Sequence, residues 1–168
     1  MTAISKWIKL YNSPNEAIRI RAGEGLLRRG SELSLKLLLG ILDNLGDKGL
    51  GGKAEKLLLE RTDPELTDEM IVRLQSEDVF IREVACGVLG KSGDRKATAH
   101  LVRTLSDPHI MVRRAAGFAL AELKDPASVS GLMRQYKQSA KDDLNVRFAL
   151  ECALEELKVE FARHPWLA

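Results

Sequence analysis

Asp107 to Tyr136 reads DPHIMVRRAAGFALAELKDPASVSGLMRQY. It lies without a gap over Ser76 to Leu105, SEDVFIREVACGVLGKSGDRKATAHLVRTL, 31 positions earlier. The match continues toward the N-terminus in steps of 31 or 32. Ile18, Leu50, Ile81 and Val112 form one column; Ala22, Ala54, Ala85 and Ala116 form the next. Leu26, Leu58, Leu89 and Leu120 form a third. Ser31, Asp63, Asp94 and Asp125 follow, then Leu38, Met70, Leu101 and Leu132, then Leu42, Leu74, Leu105 and Tyr136. A further unit follows a three-residue insertion, with Val146, Leu150 and Leu154, and its second half leaves the pattern. Such periods are the mark of a repeat architecture.

Each column has a physical job. The first three stand four residues apart, so they share one helix face. The Ala column is small where another helix must come close. The Ser/Asp column predicts helix N-caps, and Asp63 and Asp125 each precede a proline, which suits the first helical position. The last two columns mark the buried face of a second helix. Ser13, Ser76 and Asp107 predict a second cap series at repeat entry. Each unit is therefore helix, turn, helix, and one pair cannot bury its apolar stripe alone, so the pairs are expected to stack as a solenoid. The expected repeats cover 12–44, 45–75, 76–106, 107–137 and 141–163 of a single domain spanning 1–168. Ile4, Trp7, Ile8 and Tyr11 at helical spacing predict an N-terminal capping helix over 1–11.

The bulk numbers exclude several classes. The 168 residues are 45% hydrophobic and 30% charged, which suits one compact domain with a real core. A net charge of +2 is too even for a protein that coats nucleic acid, and 5% aromatics disfavour a base-stacking platform. Cys86 and Cys152 lie in apolar helical patterns without a CxxC partner, and read as small core residues in a reducing compartment. The start, MTAISKWIKLYN, has no long apolar h-region, and no long apolar run suggests a membrane span. The expected setting is the cytoplasm.

The glycine-rich stretch GDKGLGGKAEK, Gly46 to Lys56, imitates a phosphate-binding loop. The Walker pattern G-x-x-x-x-G-K-[ST] fails at Asp47 and Ala54, and G-x-G-x-x-G fails at Ala54. Leu50 and Ala54 sit in repeat columns, so the stretch reads as the connection between repeats and as a mobile joint. His100, His109 and His164 lack metal-ligand spacing. No Ser-His-Asp or Cys-His arrangement can be argued from spacing. Glu155-Glu156 and Asp142-Asp143 read as surface charges. No enzyme activity, cofactor or metal is expected.

The pattern Asp-Pro-x-x-x-Val-Arg-x-x-Ala-x-x-x-Leu, followed by a turn and a second helix, resembles the HEAT repeat. The period and the Arg directly after Val or Ile are similar to the HEAT-like repeats of phycocyanobilin lyases. Ile18-Arg19, Ile81-Arg82, Val112-Arg113 and Val146-Arg147 carry the resemblance, which covers about residues 12–157. The second unit departs, with Gly51 in place of Arg. The resemblance implies an all-α fold, a right-handed α-solenoid of about five HEAT-like repeats. It implies that these arginines bond the Asp or the carbonyls at a neighbouring unit's turn; an anion-binding line along one surface is the other reading.

The resemblance also implies that second helices line a concave, partner-binding face. Off the apolar columns there lie His100, Arg103 and Arg134, with Arg73 their counterpart one unit earlier. These four are the candidate partner-binding residues, a basic ridge suited to an acidic protein surface; a solvated helix face is the plain alternative. The tail ARHPWLA either folds back as a cap or presents Trp166 to a partner. The expected function is a protein–protein interaction scaffold or adaptor. The alternative, from the resemblance alone, is a subunit or chaperone-like factor of a bilin lyase system. Nucleic-acid binding has only weak support. An uncapped end can stack on another copy, so monomer and weak homo-oligomer both stay open.

Overall fold

The computed structural model describes residues 3–45, 49–139 and 144–158. Expectations for Gly46–Lys48 of the glycine stretch, for Asp142-Asp143, for His164, for the end of the last repeat and for the Trp166 tail lie outside them. The described residues form ten α-helices and no strand. They divide between two compact units, Met1–Asp63 and Pro64–Ala168. The first holds α1 (Ala3–Tyr11), α2 (Glu16–Leu27), α3 (Leu35–Leu45) and α4 (Gly51–Leu59). The second holds α5 (Leu66–Arg73), α6 (Val79–Ser92), α7 (Thr98–Thr104), α8 (Ile110–Leu123), α9 (Val129–Gln138) and α10 (Leu144–Glu156).

In the second unit, α6, α8 and α10 pack side by side, while α5 lies on α6, α7 on α8 and α9 on α10. The columns build this core. Ala85, Leu89, Leu101, Val112, Ala116, Leu120, Leu132, Leu150 and Leu154 are fully buried. The helices also come close at glycines beside the Ala column. A Cβ on Gly90 would stand 2.7 Å from the Ala119 Cα, and one on Gly117 would stand 2.9 Å from the Ala149 Cβ. Two glycine–alanine pairs thus set the spacing of α6 to α8 and of α8 to α10. Helices α6 and α8 end alike, in left-handed residues one repeat apart: Gly93 at φ 69° and Lys124 at φ 49°. Only glycine adopts that conformation without a Cβ penalty.

Caps fall partly where expected. Asp94 accepts from the Lys96 N–H at 3.0 Å and Asp125 from the Ala127 N–H at 3.2 Å. Each opens a single 3₁₀ turn, Arg95–Ala97 and Pro126–Ser128, that runs into α7 and α9. The repeat-entry series needs correction. Ser76 and Asp107 are not the caps; Asp78 and His109, two residues on, occupy the cap positions of α6 and α8. Ser76 and Asp107 instead accept from the N–H of those two residues, at 3.2 and 2.8 Å. They fold the tight turn that delivers the capping residue.

In the first unit, α1 packs on α2 and α3 on α4. The Trp7 ring covers Gly25, where an added Cβ would come within 2.7 Å of it. The Tyr11 hydroxyl donates to the Gly40 carbonyl at 2.6 Å, tying α1 to α3. The cap correction recurs: Asn15 caps α2, and Ser13 receives the Asn15 N–H. Ile18 breaks its column, being 41% exposed where Leu50, Ile81 and Val112 are buried. Gly51 and Gly52 form the first turn of α4 rather than a loop, after Gly49 at φ 80°. Arg61 closes the unit: it forks onto the Asp63 carboxylate and donates to the Leu33 carbonyl at 2.8 Å.

Candidate functional site

The motif arginines are built into turns. Arg19 donates to the carbonyls of Ser13 and Pro14 at 3.0 and 2.8 Å. Arg82 does the same to Ser76 and Glu77 at 2.8 and 3.1 Å, and Arg113 to Asp107 and Pro108 at 2.9 and 3.0 Å. The carbonyls therefore belong to the turn of the same repeat, where a neighbouring unit's turn had been expected. Arg82 also reaches the next repeat, with a two-pronged grip on the Asp107 carboxylate at 2.8 and 3.0 Å. Arg147 differs: it donates to the Tyr136 hydroxyl at 2.6 Å and pairs with Glu151 at 3.3 Å.

Above Arg82 opens a cleft of about 920 Å³ within the second unit. Its walls come from the end of α5 (Ile71, Val72, Leu74), from α7 (His100, Arg103, Thr104) and from the turn Ser106–Pro108. One apolar residue of the wall faces water: Val72 is 69% exposed, while Leu74 is buried and Ile71 half-buried. The one lining carboxylate, Asp107, is already neutralised. Burial pushes its pKa up, but the Arg82 bonds and the His109 N–H outweigh that and hold it below the ordinary value.

Of the four predicted partner-binding residues, two meet in this cleft. Arg103 is exposed and donates to His100 Nδ1 at 3.0 Å. Guanidinium cannot accept, so the imidazole Nδ1 is the acceptor in that bond. Among the described residues no carboxylate pairs with Arg103. Arg73 is drawn back along α5, at 2.8 Å from the Glu69 carboxylate, and does not line the cleft. Arg134 lies in a separate depression on α9 with Met133 and Lys137. The sequence columns missed Val72 and Gln75, which belong to no repeating position, and gave Pro108 only as part of the repeat-entry motif; the available signal was Val72, an apolar residue off the buried face of its helix.

The two cysteines differ. Cys86 is fully buried, and burial pushes its thiol up to about 12, so it stays protonated at neutral pH. Cys152 is half-buried rather than in the core. Among the described residues no cluster of three His, Cys, Asp or Glu side chains could hold a metal ion. No helix among them is long and apolar enough to cross a membrane.

No curated protein matches the chain. Residues 112–136 match the family model described as the PBS lyase HEAT-like repeat. That span is most of α8, the Asp125 turn and α9 as far as Tyr136, the greater part of one helix–turn–helix. The helix pairs seen here and that match give the same answer: this is a HEAT-like repeat protein, related through that repeat to the phycocyanobilin lyases.

Proposed function

We propose that the protein is an interaction scaffold that binds a partner protein through the second-helix face of residues 64–158. Arg103 and His100 are the central contacts, and Arg73 and Arg134 flank them. The observation that carries this reading is the open cleft, which the exposed Val72 lines together with a guanidinium without a carboxylate partner. Buried apolar anchors with complementary charge at the edge are what protein interfaces use. Affinity capture with the full chain, set against the Arg103→Glu/Arg134→Glu double variant, tests it. Loss of one dominant protein from the double variant's eluate supports the reading, and unchanged capture overturns it.

A second reading draws on the family match alone: a subunit or chaperone-like factor in a bilin lyase system. Its test is optical. Added bilin acquires a protein-dependent visible band if the reading is right, and its spectrum stays that of free bilin if it is wrong.

A further inference from the structure

We propose that the cleft between α5, α7 and the Ser106–Pro108 turn takes a short segment of the partner in which an acidic side chain neighbours a large apolar one. The inference rests on the scaffold reading and narrows it to one recognition element. Charge complementarity selects the acid. Arg82 is spent on Asp107 and on two turn carbonyls, and Asp107 is thereby silenced. What is left facing solvent is the Arg103 guanidinium, backed by the His100 imidazole. A carboxylate is the natural partner for such a fork. Shape selects the apolar neighbour: Val72 projects beside Ile71 and Pro108 with most of its surface in water. Covering it releases that water and adds affinity that a charge pair alone lacks. A nucleic-acid strand fits poorly, because the lining offers no Phe, Tyr or Trp face for a base and, beside the committed Arg82, only the Arg103 guanidinium for phosphates.

The probe is a library of short random peptides displayed on phage and selected against the full chain. Enriched peptides are then measured by fluorescence anisotropy on the wild type, Arg103→Glu, Arg103→Gln, Val72→Asp and Lys91→Glu. The expected consensus sets Asp or Glu within two residues of Leu, Ile or Phe. Arg103→Glu weakens binding about tenfold and Val72→Asp about as much, while Lys91→Glu, exposed in the last turn of α6 and outside the cleft lining, stays within about twofold. Reselection on Arg103→Glu enriches Lys or Arg in place of the acid, which a merely damaged fold cannot produce; Arg103→Gln gives a smaller loss in the same direction. No enrichment, a consensus without an acid, or equal binding by Arg103→Glu overturns the inference. If partner capture responds to Arg134→Glu but not to Arg103→Glu, the scaffold reading stands and this cleft is not its anchor. If neither changes capture, both fall.

Discussion

Arg82 holds Asp107 across 25 residues of sequence, both side chains about one-tenth exposed. The same guanidinium seals its own turn through the carbonyls of Ser76 and Glu77. Removing it leaves a carboxylate and two carbonyls short of donors. Arg82→Ala is expected to destabilise by about 3 kcal/mol. Arg82→Lys should recover only part, because an ammonium cannot make the two-pronged grip. Urea unfolding of the three proteins checks this; a loss near zero for Arg82→Ala means the pair is ornamental.

Acid should unfold the second unit through its aspartates. Asp125 accepts the Thr98 hydroxyl and the Ala127 N–H, which lower its pKa; Asp107 is also held low, against its burial. The unfolded chain then binds protons more readily than the folded one, so stability rises with pH in the acid range. The contribution is complete above about pH 5 and is lost as pH falls below about 4, through the folded values. Urea midpoints followed from neutral to acid pH should show that limb, and Asp107→Asn should flatten it.

The column leucines carry the core. Leu120 is fully buried between neighbouring helices, and Leu120→Ala should cost about 2–5 kcal/mol. Thermal melting reads this directly, and an unchanged midpoint means that the buried face is misassigned.

Two glycine substitutions should act with opposite sign. Gly90→Ala drives a methyl against the Ala119 backbone, so α6 and α8 must part; a loss of about 1–3 kcal/mol follows. Gly52→Ala meets nothing within 4 Å in the first turn of α4, and should stabilise by about 0.5 kcal/mol by restricting the unfolded chain. Equal effects from the two would contradict the close approach.

The helix pairs were legible because burial in a repeat forces the same residue types at the same spacing. Ala85, Leu101 and Leu120 are where the columns put them. The entry caps were misread because Ser76 and Asp107 look like caps by composition, while His109 does not; only the turn geometry shows His109 receiving the Met111 N–H. Gly90 and Ala119 were invisible as a pair because small residues are common in helices, and a close approach leaves no spacing signature. Half of the candidate site was legible. His100 and Arg103 stand three apart on one helix and had to be neighbours, but Val72 reaches them from another helix, and no periodicity reports that.

Because one side chain both closes its own bend and grips the repeat that follows, neither bend can open without loosening the other. The Arg82 clasp therefore turns two modules into a single cooperative element. Amide protons of α6 and of the Ser106–Pro108 bend should exchange with solvent in shared openings, and the wall of the cleft inherits the rigidity of the core beneath it.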